Sequence, residues 1–260
     1  MPTKKIKIEY EHGSADDNRL DLYDGSSSLM HLSRLFILCA HAYRNESVTT
    51  HATGSSGFKS YLLVPRRGSF IQEVLIDFLG NISATMFGSY VMHMVNESLG
   101  NRDEDNEQSA KLRKKIEPTF DLPYIIENPV REAHKPIEDD KNMTISAYCD
   151  KKEIFHLDQR TMELTRIIND PAVIYVAGNV TRFNAISMWG KVFDKEKEVI
   201  IPFLLDKNLN DKQKSLITWS LSQTTIGLLG DIQLRVTTVK SPLGAIKRYN
   251  VTDVNIYRIE

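Results

Sequence analysis

At 260 residues the chain can bury one large core or two modest ones, and 41% hydrophobic with 26% charged residues is the balance of a folded chain, not a disordered or fibrous one. Thirty-three Lys and Arg against 34 Asp and Glu leave a formal charge of −1, which excludes a global basic field for nucleic acid or anionic lipid. Two cysteines, Cys39 and Cys149, give neither a disulfide framework nor a zinc spacing, so a reducing cytoplasm is the expected compartment.

The start, MPTKKIKIEYEHG, turns polar where a signal peptide needs an apolar run. Lys5 to Tyr10 alternates polar and apolar, the period of a half-buried strand, and His12-Gly13-Ser14 ends it in a turn. From Leu20 to Tyr43, Leu29, Leu32, Phe36, Cys39 and Tyr43 recur at steps of three and four, which predicts a core helix with Gly25 as a candidate break. Ser14, Asp16 and Asp17 have the chemistry to cap its start. Asp17, Asp21 and Asp24 would share a face of a continuous helix, so a cation site is the competing reading.

Strands are expected at Val48 to Ala52, Phe58 to Val64 and Phe70 to Phe78, separated by GSSG and by PRRGS, and a helix at Ser83 to Leu99. Gly80, Ala84 and Gly88 place small residues every four positions, a spacing that permits close helix packing against another copy or subunit. Residues 70 to 95 are the most membrane-like stretch, but Glu73, Asp77, Asn81 and His93 interrupt it, so no stable transmembrane span is expected.

Residues 100 to 115 lack an apolar period and read as a linker or an exposed helix, and prolines 118, 123, 129 and 136 leave room for short helical pieces between them. Met143 to Cys149 and Glu153 to Leu157 suggest a hairpin, then Gln159 to Ile168 a short helix. Strands at 173 to 183, 186 to 193 and 199 to 204 precede a helix at 211 to 225, and strands at 232 to 239 and 246 to 256 follow. Three strands, a helix and two strands is the element order of an OB-type barrel. The fold expected is therefore α+β: an N-terminal antiparallel sheet with long packed helices over 1–99, a charged and proline-rich linker over 100–142, and an OB-like barrel with one inserted helix over 143–260.

The stretches IEYEHGSADDNRLDLYDGSSSLMHLSRLFILCAHAY, VPRRGSFIQEV, NPVREAHKPI, GKVFDKEKEVIIPF and GAIKRYNVTDV, which span most of the chain, resemble a bacterial family of uncharacterised cytoplasmic proteins. In that family a Gly-x-Ala-Asp start leads into a helix and a Gly-Ser-Phe turn follows a basic pair. The resemblance implies a bacterial or phage-derived protein associated with anti-phage defence loci. It implies no catalytic residues, so it assigns no role to Asp16, Asp17 or Arg67.

Phosphate-loop, dinucleotide-binding, HExxH, CxxC and GxSxG patterns are all missing, and the seven histidines are scattered. No catalytic residue, metal or cofactor is assigned. Glu73, Asp77 and Lys59 would serve a metal-dependent hydrolase or nuclease if their strands brought them together, with Asp21 a further carboxylate; solvated strand faces are the plainer reading. Arg66 and Arg67 form a compact basic turn able to clamp a phosphate or a partner carboxylate. Trp189, Lys191 and Phe193 alternate with Met188, Gly190 and Val192, so two aromatics and a cation project from one strand face, the chemistry of a stacking platform for unpaired bases.

Arg235, Lys247 and Arg248 are candidate additions to that platform, and residues 173 to 260 hold eight Lys and four Arg against eight Asp plus Glu. Core or interface packing is the competing account of the aromatics. The leading expectation is a noncatalytic, oligomeric binding or assembly protein that engages nucleic acid, or another subunit of a bacterial complex, through its barrel. A hydrolase using the N-terminal carboxylates and a membrane-acting effector using residues 70 to 95 are the alternatives.

Overall fold

A computed structural model describes residues 3–50, 57–63, 70–78, 83–100, 110–242, 244 and 246–257. The chain forms two compact units, Met1–Arg166 and Ile167–Glu260.

The first unit is a five-stranded antiparallel sheet with helices packed on one face. Its strands are β1 (Thr3–Glu11), β2 (Phe58–Leu62), β3 (Phe70–Phe78), β4 (Thr144–Cys149) and β5 (Lys152–Leu157), in the order β2-β3-β1-β4-β5. The alternation of β1 sends Ile6, Ile8 and Tyr10 into the core and Lys5, Lys7 and Glu9 to the opposite face. Against the core face lie α1 (Leu22–Asn45), α2 (Ala84–Leu99) and α4 (Leu122–Ala133), with shorter pieces α3 (Ala110–Ile116), α5 (Lys135–Asp139) and α6 (Gln159–Thr165).

Five sequence expectations are corrected in this unit. Residues 143–166 belong to it and not to the barrel, because β4 pairs with β1 and supplies Ile145 and Ala147 to the same core. Within 110–142 the chain is packed helix, not linker: α4 buries Leu122, Ile126, Val130 and Ala133. Its prolines fit because Pro123 sits in the first turn, where the missing N–H costs nothing, and Pro129 is absorbed inside the helix on the buried side.

The entry to α1 is also different. Gly13–Asp17 is a separate 3-10 turn in which Asp16 accepts the His12 amide, and the cap of α1 is Asp21, whose carboxylate accepts the amides of Tyr23 and Asp24 at 2.8 and 2.9 Å. Gly25 does not break the helix; it is buried where a Cβ would meet Leu20. Residues 48–50 are not strand, and 51 and 52 lie outside the described residues. A hydrogen-bonded chain then ties three elements together: the Ser28 hydroxyl donates to the Ala133 carbonyl at 2.7 Å and lies 3.1 Å from the Tyr10 hydroxyl.

The second unit is a closed barrel of β6 (Ile168–Phe183), β7 (Trp189–Asp194), β8 (Val199–Leu205), β9 (Asp231–Lys240) and β10 (Ile246–Ile256), with α7 (Asp211–Thr225) between β8 and β9. Going round the wall, the order is β6-β7-β8-β10-β9 and back to β6; β8 and β10 run parallel and the other pairs antiparallel. This is the connectivity of an OB-type barrel. Val176, Val180, Val192, Phe203, Leu234, Val236, Tyr249 and Val251 fill the interior.

Gly190 is required by that packing, since a Cβ there would overlap the Phe203 ring. α7 opens with a reciprocal cap between Asn210 and Gln213 and buries Ile217 and Ser220. Ser220 also mends the barrel wall. Just past the last β6–β9 pair, Asn179 with Asp231, the Ser220 hydroxyl accepts the Val180 amide at 2.9 Å and donates to the Gly230 carbonyl; a bulge between Val180 and Arg182 separately interrupts the β6–β7 ladder. Residues 186–188, expected as strand, form instead the turn between β6 and β7. There the Asn184 carboxamide oxygen accepts the Ile186 amide at 2.9 Å and Met188 takes a left-handed φ of 61°.

Candidate nucleic-acid interface

The expected alternation of β7 holds. Gly190, Val192 and Asp194 are buried, while Trp189, Lys191 and Phe193 are half-exposed on the outer wall. Strand period alone sets this, because the even positions are consumed by the barrel interior. On the neighbouring strand, Arg182 is the direct cross-strand partner of Lys191, so a second cation shares the row. From the other side Arg248 reaches over β8 and places its guanidinium carbon 5.5 Å from the centre of the Trp189 ring. That is a cation over an aromatic face, an arrangement attractive in itself and able to accept a stacked base alongside.

The outer wall therefore carries Arg182 of β6, Trp189, Lys191 and Phe193 of β7 and Arg248 of β10, with β8 lying between the last two strands. Ile186 stands 96% exposed on the turn that borders β7. In OB-type barrels the face of the second and third strands and the loop between the first two are the ligand-binding region. Here those elements are β7, β8 and residues 184–188. Arg182, Trp189, Lys191 and Arg248 each take part in further interactions in the free chain, so a ligand here exchanges contacts instead of meeting bare groups.

Asp194, at the other end of β7, ties this strand to β10 and to the following turn. Its carboxylate accepts the Tyr249 hydroxyl at 2.7 Å, the Lys197 ammonium at 3.2 Å and the amides of Glu196 and Lys197. Burial pushes this carboxyl up, but the Tyr249 and Lys197 hydrogen bonds outweigh it, and the group is held below the usual carboxylate range. One buried anion thus joins the far end of β7 to Tyr249 of β10, the neighbour of Arg248.

Other expected members fall elsewhere. Lys247 is 4% exposed: it shares the parity of Tyr249 and Val251, so when Arg248 points out Lys247 must point in. Arg235 is exposed on β9, two strands from β7 by way of β6 and three by way of β10 and β8, where its guanidinium donates to the Thr252 hydroxyl at 3.3 Å; it does not join the Trp189 surface. Arg66, Arg67 and Gly80 lie outside the described residues. Ala84 opens α2, and Gly88 is turned toward its own sheet, where a Cβ would stand 3.1 Å from Ile154 and 3.2 Å from Cys149. The close approach that small residue permits is used within the unit, not by another subunit.

Arg182 was not found by sequence reasoning. Plain alternation from Val176 and Val180 puts residue 182 inside, and the bulge that reverses its direction leaves no mark in the local sequence.

The carboxylates proposed for a hydrolase do not converge. Glu73 binds Lys5 at 2.6 Å, Asp77 lies opposite Lys59, and four residues of strand keep Glu73 and Asp77 about 13 Å apart. Asp21 is occupied as a helix cap. Among the described residues no three His, Cys, Asp or Glu side chains gather into a potential cation site, and no helix is long and apolar enough to cross a membrane. Residues 70–78 are the strand β3, and 84–95 lie in α2, which packs on the sheet.

No family model, curated protein or solved structure matches the chain.

Proposed function

We propose that the protein is a noncatalytic binding protein whose barrel holds single-stranded nucleic acid on the wall formed by β7, β8 and the flanking edges of β6 and β10. What supports this reading is one juxtaposition: Trp189 under the Arg248 guanidinium, with Lys191 and Arg182 in the adjoining row, outside an OB-type barrel. Bases stack on the indole in place of, or beside, the guanidinium, and the cations pair with the backbone phosphates. Stacking tolerates any base, so shape and single-strandedness are selected ahead of sequence. A bacterial defence context for this activity rests on the sequence resemblance.

Fluorescent oligonucleotides test the proposal. Unpaired strands should bind more tightly than duplex, with affinity falling linearly in log salt, by a slope of roughly −0.7 per phosphate neutralised. Trp189→Ala should remove roughly 1–3 kcal/mol of binding, and Lys191→Ala should flatten the salt slope by about one phosphate. A doubly substituted chain that still binds as the original does would refute the surface.

A further inference from the structure

The face of the first unit's sheet away from the helices carries a cavity of about 560 Å³ lined by Lys5, Lys7, Glu73, Tyr148, Asp150 and Lys151. One row of the sheet sets Glu73, Lys7 and Tyr148 side by side on β3, β1 and β4. Lys5 bonds Glu73 at 2.6 Å and neutralises a carboxylate whose side chain is only 6% exposed. Lys7 places its ammonium 4.4 Å from the centre of the Tyr148 ring and bonds Glu9, which stands outside the lining, at 2.6 Å.

The third lysine is held differently. Cys149 pairs with Lys152, so Asp150 and Lys151 alone make the turn between β4 and β5, and both are left-handed, with φ of 50° and 85°. Such a turn favours Asn-Gly or Asp-Gly, because a side chain at the second position strains the backbone. This chain keeps the aspartate and puts lysine where glycine would sit without strain. Strain retained at the rim of a cavity asks for a reason, and a lysine in the lining, where glycine would bring no charge, supplies one.

The geometry points to a binding site for a small phosphate-bearing molecule, a nucleoside monophosphate in size and class, gripped by Lys7 and Lys151. A phosphate carries up to two negative charges and several acceptor oxygens, so it takes more than one ammonium at once, which a single carboxylate does less well. Tyr148 offers a ring and a hydroxyl to the remainder of the ligand, and Asp150 at the rim suits its hydroxyl or amino groups. The volume lies within the range of small-molecule sites. This site is separate from the barrel surface and does not depend on it.

The test is calorimetry on the full chain carrying Trp189→Ala and Lys191→Ala, so that the barrel wall contributes nothing. Adenosine monophosphate should bind saturably at millimolar concentration or below, inorganic phosphate should compete, and adenosine should not bind. Adding Lys151→Gly should weaken adenosine monophosphate roughly tenfold, while the melting temperature stays level or rises because the turn is relieved. Absence of saturable binding by both phosphate compounds, equal binding of adenosine, or unchanged affinity in the glycine variant would each overturn the site. A lower melting temperature in that variant would also overturn it, since Lys151 would then be serving the fold.

Discussion

The two units solve the same problem, burying one face of a β-sheet, the first by covering an open sheet with helices and the second by closing the sheet on itself, with opposite uses of chain order and charge. Residues 1–166 hold 21 Lys and Arg against 25 Asp and Glu, whereas residues 167–260 hold 12 against nine. The near-neutral total therefore hides an acidic unit and a basic one, and the basic unit is the one whose outer wall presents Trp189 under a guanidinium. A bulk charge of −1 rules out a general field and leaves a local surface open. The sheet of the first unit joins strands from its two ends, β1 with β4, while the barrel is assembled from a continuous run, residues 167–260.

The largest effect that would break this comparison comes from the barrel core. Phe203 is fully buried between Gly190 and the stacked ring of Phe183, so Phe203→Ala should cost roughly 3–5 kcal/mol. Hydrogen exchange should show lost protection in β6 to β10 with β1, β3 and β4 unaltered. Lost protection in both units would make them one cooperative body and void the division.

Acid should separate the units next. Burial lowers the His134 imidazole to about 4, while its ring bonds the Val130 carbonyl at 2.7 Å and faces the Thr161 hydroxyl at 3.0 Å. The folded group resists a proton that the unfolded chain accepts near 6.5. Its contribution is therefore complete above that pH and declines as pH falls toward about 4, by roughly 3 kcal/mol in all. Asp194 in the barrel is a depressed carboxyl, so what it contributes is present above about pH 4 and lost only below. Denaturant titrations between about pH 7 and pH 4 should thus show the first unit weakening ahead of the barrel, and His134→Gln should flatten that dependence. An unchanged slope in the variant would assign the pH effect to other groups.

The smallest effect sharpens the local reading of α1. Asp21→Ala removes both cap hydrogen bonds and should cost about 1 kcal/mol, visible as a lower unfolding midpoint of the first unit. Ser14→Ala, expected from sequence as the equivalent change, should cost less, because no cap hydrogen bond of α1 involves its side chain.

The contrast also explains how much could be read in advance. Barrel strands announced themselves because they are alternating or, as in β8, continuously apolar runs separated by turn residues, and the outward set 189, 191 and 193 follows from period two alone. The same rule, applied strictly, puts Lys247 inside once Arg248 is outside. It could not have placed Arg182, whose direction is set by a bulge that the local alternation does not mark. In the first unit the pairing of β1 with β4 spans about 140 residues, and no local pattern encodes a partner so distant. Prolines and mixed charge at 110–142 resembled a linker because the apolar positions of α4, at 122, 126, 130 and 133, are interrupted by Pro123 and Pro129 on the same buried side.

The most direct test of the central claim is ultraviolet crosslinking of the intact protein to a single-stranded oligonucleotide, with adducts mapped by mass spectrometry. The account predicts adducts on Trp189 and its neighbours across β7 and β10, suppressed at raised salt. Adducts confined to Met1–Arg166, or to β9 around Arg235, would contradict it.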